Sequence, residues 1–205
     1  MSTVIGLDVG TGSTKAVAVD PSGTVVARAA SEPYPMDCPR PGWAQQDPEV
    51  VAGATIEALA RLTAELGPTE TPRALSLGAQ SGSILPADAG GEPAGPLITW
   101  MDARARRVID ELAARPGVAE RVRRTSGWSL GCGLGLATIA WYTAQGLAAD
   151  RWLGVDDLIC RTLTGEAVAN PSNAAGTQLM DLSRGEWDPW LCELARIEPA
   201  QLSPL

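Results

Sequence analysis

The segment VIGLDVGTGSTKAVAVD, at positions 4–20, constrains the fold more than any other part of the chain. Two runs of small and β-branched apolar residues flank a short turn that is rich in glycine and hydroxyl groups. This pattern predicts a β-hairpin, because the turn residues reverse the chain and the apolar runs pair across it. One carboxylate, Asp8, stands just before the turn, and Lys15 follows the turn.

Two nucleotide-binding motifs share glycines with this turn but differ from it in spacing and context. A Walker A motif needs Lys before Ser or Thr, whereas here Thr14 precedes Lys15. The dinucleotide fingerprint Gly-x-Gly-x-x-Gly is absent from the segment. Both motifs also lead from a strand into a helix, and this turn leads into a second strand. Neither motif therefore describes the segment.

The turn nevertheless has the chemistry of an anion-binding site. Glycines let backbone N–H groups approach a phosphate without a Cβ in the way, and hydroxyl and ammonium groups add donors. Asp8 would repel phosphate unless a cation lies beside it, and hydrated Mg²⁺ suits a carboxylate next to phosphate oxygens. A plain hairpin, whose glycines only satisfy turn geometry, is the competing interpretation. The candidate residues are Gly10, Thr11, Gly12, Ser13 and Lys15 for phosphate, and Asp8 for the metal.

Composition excludes several classes of chemistry. The chain has no His, so it holds no Ser-His-Asp triad, no His general base and no His-containing zinc site. Its net charge of -8 argues against a nucleic-acid partner. No segment has the apolar length of a membrane span, and the N-terminus lacks the regions of a signal peptide. The four cysteines match no Cys-x-x-Cys pattern, which predicts a reduced, cytoplasmic protein.

The order of the predicted elements indicates an α/β fold with a mixed sheet. Asp47-Pro48-Glu49 has the residues of a helix start, and Gly67-Pro68 ends that helix. The following strand, residues 73–78, can therefore run parallel to an earlier one. Because Phe is absent, Leu, Val, Ile and seven Trp have to fill the core. The other predicted elements are strands at 3–8, 14–20, 24–27 and 177–182, a hairpin of 83–86 with 96–100, and helices starting at Asp102, residue 134, Asp156 or Asp157, and Asp188.

Five segments in order resemble the N-terminal domain of the FGGY carbohydrate kinases, of the xylulokinase or gluconokinase type. They are GLDVGTGSTKAVAVD, PRPGWAQQDPEV, LGAQSGSILPADAGGEPAGPLITWMDARA, DDLICRTLTGE and PSNAAGTQLMDLSRGEWDPWL. The resemblance covers nearly all 205 residues, so we expect one FGGY-type N-terminal kinase domain over residues 1–205. It implies a ribonuclease H-like fold, as in actin and the sugar kinase ATPases, with a mixed sheet flanked by helices.

The resemblance also implies ATP, Mg²⁺ and transfer of the γ-phosphoryl group to a hydroxyl of a sugar or polyol. By motif position, Asp8 matches the Mg²⁺-organising carboxylate of the family. Gly10, Thr11 and Ser13 match its phosphate turn, and Lys15 matches its basic phosphate contact. The implied residues at the sugar side are Gln80, Ser81, Trp100 and Asp102, of which Asp102 has a competing interpretation as a helix N-cap.

Several positions depart from the usual pattern of the family. Ser81 and Gly82 are smaller than the polar residues that many members carry, which suggests a bulkier or differently oriented substrate. Thr138 stands where many members have Lys, and this departs from the pentulose-type assignment. Asn170 and Asn173 stand where some relatives have Asp, with turn and strand-lead-in roles as the simpler interpretation.

The family's catalytic base belongs to a Gly-Gly-Asp segment of a C-terminal kinase domain. We therefore expect no catalytic residue in this sequence and no activity without that domain, since a general base contributes roughly 10²- to 10⁴-fold in rate. The alternative is a non-catalytic remnant of a sugar kinase that binds a sugar or a protein partner. A domain without its other half would expose an apolar face, which predicts a homo-oligomer.

Overall fold

The computed structural model describes residues 3–68 and 70–205, so positions 1, 2 and 69 of the predicted domain lie outside the described residues. The chain divides into two units. The first consists of the chain up to Met36 together with Asp47–Gln80, and the second of Asp37–Gln46 with Ser81–Leu205.

Strands and helices follow one another in the order that an α/β chain requires. The strands are β1 (Val4–Val9), β2 (Thr14–Val19), β3 (Val25–Ala30), β4 (Gln45–Gln46), β5 (Leu75–Ala79), β6 (Ile84–Ala87), β7 (Leu97–Ile98), β8 (Arg151–Gly154), β9 (Met180–Asp181) and β10 (Glu186–Trp187). The helices are α1 (Pro48–Leu66), α2 (Arg106–Ala113), α3 (Val118–Ser126), α4 (Gly135–Ala144), α5 (Val155–Thr164), α6 (Pro171–Gly176) and α7 (Pro189–Ala195), followed by a 3₁₀ turn at Pro199–Gln201.

The first unit contains a four-stranded mixed sheet in the order β3-β2-β1-β5. The predicted hairpin is confirmed, since β1 pairs antiparallel with β2 and β2 with β3. β5 runs parallel to β1, as expected for a strand that follows a long helix.

Helix α1 covers one face of this sheet. It starts as predicted, because the Asp47 side chain accepts a hydrogen bond from the Glu49 N–H at 2.9 Å and Pro48 occupies the first turn. Its buried residues follow helical spacing at Val51, Thr55, Ala58 and Leu62. Strand alternation supplies the opposing layer from Ile5, Leu7, Val9, Ala16 and Ala18.

The second unit contains an antiparallel sheet in the order β4-β7-β6-β8, with helices packed against it. Edge-to-face aromatic contacts join Trp43 to Trp141, Trp141 to Tyr142, and Tyr142 to Trp152, with ring centroids 5.2–5.5 Å apart. Tryptophan thus supplies part of the core in this Phe-free chain. The prediction is wrong for two of the seven Trp residues, because Trp100 and Trp128 are 49% and 47% exposed.

Helices α3 and α6 and the short strands β4, β8 and β10 are absent from the predictions. α3 buries Val118, Val122 and Ser126 and otherwise presents polar residues, so its apolar signal is weak. β8 and α6 have four and six residues, too few to establish a period. The predicted strand at 177–182 is reduced to β9, because Gln178 adopts a left-handed conformation with φ 63° that interrupts it.

Two predicted helix starts are wrong in detail. α2 begins at Arg106 with Ala105 as its N-cap, so Asp102 does not cap it. α5 has Gly154 as its N-cap, and Asp157 acts from inside the first turn by accepting a hydrogen bond from the Gly154 N–H at 3.0 Å. Across residues 3–68 and 70–205, every helix falls short of the length or the apolar character that crossing a bilayer requires.

Two adjacent carboxylates are buried at the start of α5. Asp156 accepts a hydrogen bond from the Asn170 N–H at 2.9 Å, and both side chains are at most 5% exposed. Burial, with the neighbouring Asp156 charge as the second cause, raises the pKa of Asp157 to about 6. The folded state therefore keeps the Asp157 proton to a higher pH than the unfolded state does, because the carboxyl has its ordinary pKa of 3.8 in the unfolded chain.

This raised pKa makes Asp157 a source of instability at neutral pH. The contribution of Asp157 to the stability of the folded state is most favourable below pH 3.8 and is lost as the pH rises through about 6. We expect Asp157→Asn to raise the free energy of unfolding at pH 7.5 by on the order of 1–3 kcal/mol and to flatten its pH dependence between these values. Urea unfolding at a series of pH values measures both effects. The exposed Asp150→Asn is the control with an unchanged profile, and a less stable Asp157→Asn at pH 7.5 would contradict the assignment.

Candidate functional site

The turn between β1 and β2 is closed by a hydrogen bond from the Gly10 N–H to the Ser13 carbonyl at 3.2 Å. A Cβ on Gly10 would lie 3.2 Å from that same oxygen, so the turn itself favours glycine there. Gly12 differs, because it is exposed, and a Cβ on it would meet nothing within 4 Å. The fold therefore leaves the space above Gly12 open.

Tyr34 donates hydrogen bonds to two carbonyls of the turn. Its N–H donates to the Gly12 carbonyl at 3.0 Å, and its phenol donates to the Gly10 carbonyl. The side chain is buried, and burial raises the pKa of the phenol, with the Asp8 carboxylate adding to the effect. Tyr34 is not among the predicted site residues, although its position between Pro33 and Pro35 marks a stiff segment.

The carbonyls of Gly10, Gly12 and Ser13 thus accept hydrogen bonds, whereas some N–H groups of the turn have no acceptor in the described chain. Among the described residues, the N–H groups of Gly12 and Ser13 have no hydrogen-bond partner. Successive N–H groups that lack protein acceptors form the kind of concavity that binds anions. This distribution suits an anion-binding turn.

Asp8 and Lys15 are exposed and lie directly opposite each other on neighbouring strands. Thr14 is buried and its hydroxyl lies 3.3 Å from that of Thr55 in α1, so the alternation puts Asp8 and Lys15 on the other face of the sheet. Within the described chain, neither side chain has an ion-pair partner within 4.0 Å. Both charges are therefore available to a ligand.

Gln80 is the last residue of the first unit and follows β5. Its N–H donates to the Val9 carbonyl at 2.9 Å, which holds it level with the start of the turn. The Thr11 hydroxyl lies 3.5 Å from the Gln80 side-chain oxygen. The parallel pairing of β1 with β5 therefore brings two predicted site residues together that are 69 positions apart.

Ser81 begins the second unit, where it is exposed beside α6. A Cβ on Gly176 of α6 would lie 2.0 Å from the Ser81 hydroxyl, so the two positions share one space. Gly82 has φ +81°, and a Cβ on it would lie 2.9 Å from the Leu134 side chain. Local conformation and packing thus favour glycine at position 82.

Trp100 presents about half of its surface to solvent. Its N–H donates to the Ser83 hydroxyl at 3.1 Å, and a Cβ on Gly133 would overlap its carbonyl at 1.8 Å. The backbone of Trp100 is therefore held firmly while its ring stays accessible. An exposed indole on a fixed backbone is suited to stacking on the apolar face of a sugar ring.

Asp102 lies in a fully engaged buried ion pair. One carboxylate oxygen accepts hydrogen bonds from the Arg104 N–H at 2.7 Å and its Nε at 3.0 Å, and the other accepts from the Ala44 N–H at 2.6 Å and Arg104 Nη2 at 2.9 Å. Both side chains are 2% exposed. The interpretation of Asp102 as a helix N-cap is wrong, because its carboxylate binds the Arg104 side chain and backbone before α2 begins.

The guanidinium of Arg104 is also stacked on aromatic rings. It lies 3.9 Å from the ring centroid of Trp43 and 5.4 Å from that of Trp141. Its Nη2 donates to the Gln45 side-chain oxygen at 2.9 Å. Asp102 and Arg104 therefore tie the segment after Trp100 to β4 and α4.

The positions that depart from the family pattern have structural roles. Thr138 is buried within α4. Asn170 is the N-cap of α6, where its side chain accepts a hydrogen bond from the Ser172 N–H at 2.8 Å, and Asn173 lies within that helix. Asn170 therefore caps a helix and does not form a simple turn. The interpretation of these two residues as a lead into a strand is wrong, because α6 occupies this segment.

The buried pair gives a sharp stability test. Arg104→Met leaves the Asp102 carboxylate buried without its cation, so we expect the free energy of unfolding to fall by about 3–5 kcal/mol. Arg107→Met is the matched control, because its partner Glu111 lies 3.7 Å away and both side chains are more than 60% exposed. That control should change stability by less than about 0.5 kcal/mol. Equal losses in urea unfolding of the two variants would contradict the assigned role of the pair.

The comparisons with known proteins agree along the whole chain. The model of the "FGGY family of carbohydrate kinases, N-terminal domain" matches residues 3–205, across both units. A glycerol kinase from Gloeobacter violaceus is 33% identical over 98% of this chain and 41% of its own length. A gluconokinase from Bacillus subtilis is 31% identical over 100% of this chain and 40% of its own length. The chain thus spans about two fifths of these relatives.

Solved structures share the fold. The crystal structure of a gluconate kinase from Lactobacillus acidophilus superposes with a TM-score of 0.92 at 28% identity, over 99% of this chain and 41% of the other. A xylulose kinase from Rhodospirillum rubrum gives a TM-score of 0.92 at 30% identity, over 98% and 43%. The mixed α/β sheet flanked by helices is the fold of the actin and sugar kinase ATPases. The chain belongs to the FGGY family of carbohydrate kinases, and it matches the N-terminal domain of that family.

Proposed function

We propose that this chain is the phosphate- and sugar-binding N-terminal part of an ATP-dependent carbohydrate kinase. The observation that carries the proposal is the turn at Gly10–Ser13, where Tyr34 engages the carbonyls and two N–H groups lack partners in the described chain. Family membership supplies the reaction class, which is transfer of a phosphoryl group to a hydroxyl of a sugar or polyol. Such transfers depend on positioning and charge neutralisation, and the turn offers both.

The turn is assigned to the terminal phosphates of ATP. The N–H groups of Gly12 and Ser13 donate to phosphate oxygens, and the hydroxyls of Thr11 and Ser13 add further donors. Lys15 supplies a positive charge on the exposed face of the sheet. The open space above Gly12 admits the phosphate without any movement of the fold.

Asp8 is assigned to Mg²⁺, and the donor set fits that ion. The described residues hold no group of three or more His, Cys, Asp or Glu side chains that could enclose a metal. Mg²⁺ commonly uses one or two carboxylates together with waters and substrate phosphates, which is what one exposed carboxylate beside a phosphate turn can offer. When bound, the ion neutralises charge on the phosphoryl group that is transferred.

The sugar-side residues are Gln80, Ser81 and Trp100, with Asp102 in support. The accessible ring of Trp100 is suited to stacking, and the exposed Ser81 hydroxyl can bind a sugar hydroxyl. Direct contact of Asp102 with substrate stays a prediction, and the four hydrogen bonds its carboxylate already accepts favour a positioning role. We assign no general base to the described residues and attribute the complete reaction to this chain together with a C-terminal kinase domain.

A substitution at Gly12 tests phosphate binding without disturbing the fold. Gly12→Ala adds a methyl group where the protein has open space, so stability should be kept while a bound phosphate is displaced. We expect its Kd for Mg-ATP, measured by calorimetry, to rise about tenfold or more, which corresponds to about 1.4 kcal/mol. Gly53→Ala, exposed in α1 with nothing within 4 Å of the added Cβ, is the matched control with an unchanged Kd. An unchanged Kd in Gly12→Ala would refute the assignment.

Asp8 is tested through the metal dependence of nucleotide binding. In the unmodified chain, Mg²⁺ should strengthen ATP binding over that in EDTA, because the ion links the carboxylate to the phosphates. In Asp8→Asn this difference should shrink several-fold, whereas ATP without metal should bind no more weakly, since a like charge has been removed. Sugar binding that persists without any Mg-ATP binding in the unmodified chain would instead support the alternative, a non-catalytic sugar-binding remnant.

A further inference from the structure

A cavity of about 450 Å³ opens on the surface of the second unit, and none of the residues assigned above lines it. The connection between α2 and α3, the first turns of α3 and one tryptophan of α7 line it. We call it the arginine cavity, after Arg115, Arg121 and Arg124, which line it together with Trp190. Three arginines lining one cavity are notable in a chain with a net charge of -8.

The arginines of this cavity lack acidic partners. Among the described residues, no carboxylate lies within 4.0 Å of a guanidinium nitrogen of any of the three. Glu120 also lines the cavity, so its lining carries three positive charges and one negative charge. The whole chain has 24 acidic and 16 basic residues, so it contains enough carboxylates to pair with every arginine. The arginines of this cavity are nevertheless left without such ion pairs among the described residues.

Arg121 is held in place by Trp190. Its Cζ lies 3.8 Å from the ring centroid of the indole, which is the distance of a cation–π stack. Stacking occupies the face of the guanidinium and leaves its N–H donors, which point outward in the plane, for other partners. A stacked arginine is therefore preorganised for the paired hydrogen bonds that it makes to phosphate oxygens.

The start of α3 adds backbone donors to the same cavity. The helix has nine residues, and its N-cap is the left-handed Gly117, which provides no side-chain cap. Among the described residues, the N–H groups of Ala119 and Glu120 have no hydrogen-bond partner. A Cβ on Gly117 would meet nothing within 4 Å, so the approach to these donors is open. The helix dipole favours an anion at this end.

We propose that the arginine cavity binds a phosphate-bearing small molecule. Its phosphoryl group lies between Arg121, Arg124 and the first turn of α3, and its organic part fills the remaining volume beside Trp190. Several guanidinium groups with backbone N–H groups suit the multiple oxygens of a phosphate dianion. The inference is independent of the proposed kinase function, because it uses no residue of the β1–β2 turn.

Calorimetric titration of the 205-residue chain with inorganic phosphate and with glucose 6-phosphate tests the proposal, at low and constant ionic strength in chloride buffer. We expect both probes to bind and glucose 6-phosphate to bind more tightly, because the cavity is larger than a phosphate ion. In the double variant Arg121→Ala/Arg124→Ala the Kd should rise at least about tenfold. Arg123→Ala removes the same charge from the same helix outside the cavity lining, and its Kd should stay within about twofold.

Three further variants keep the outcome interpretable. Arg124→Gln alone should weaken binding, and it replaces the double variant if circular dichroism shows that the latter does not fold. Glu120→Gln removes the opposing charge and should tighten binding. Because inorganic phosphate can also bind the β1–β2 turn, the titrations are repeated in the Gly12→Ala background, where the binding that remains is assigned to the cavity. The proposal is overturned if neither probe binds at about 10 mM, or if Arg123→Ala weakens binding as much as the cavity variants do.

Discussion

The antiparallel pairing of β1 with β2 is the interaction on which the first unit depends. Because side chains alternate between the faces of a strand, one register assigns Ile5, Leu7 and Val9 to the layer beneath α1 and Asp8 to the other face. The same register sets Lys15 opposite Asp8. A slip of either strand by one residue would turn its charge toward α1 and its apolar residues away from it, so folding of the core and presentation of the charges are a single event.

In the second unit, the arrangement depends in a comparable way on the buried ion pair of Asp102 and Arg104. Asp102 and Arg104 satisfy each other, and Arg104 packs between Trp43 and Trp141. A buried pair of this kind contributes more to the choice of one arrangement than to net stability, because desolvation offsets much of the attraction. The accessible Trp100 lies two residues before this pair, so the segment that carries it is anchored on both sides of the exposed ring.

Local signals explain which parts of the fold could be predicted. The hairpin, α1 and the parallel direction of β5 follow from strong period and cap signals, as at Asp47-Pro48. Residues 118–126 have a weak apolar period and gave no prediction, although they form α3. The sequence offers a helix cap as the competing interpretation of Asp102 because Asp commonly precedes helices, whereas its actual partner, Arg104, is chosen by burial that a sequence pattern does not show. Tyr34 was missed for the same reason, since its acceptors lie 22 and 24 positions earlier.

The shared space of Ser81 and Gly176 has an evolutionary consequence. A methyl group on Gly176 would collide with the Ser81 hydroxyl, although these residues are far apart in the chain and belong to different segments of the second unit. A side chain gained at position 176 therefore requires rotation or replacement of the Ser81 side chain. Positions 81 and 176 are therefore expected to vary together, although they are 95 residues apart in the sequence.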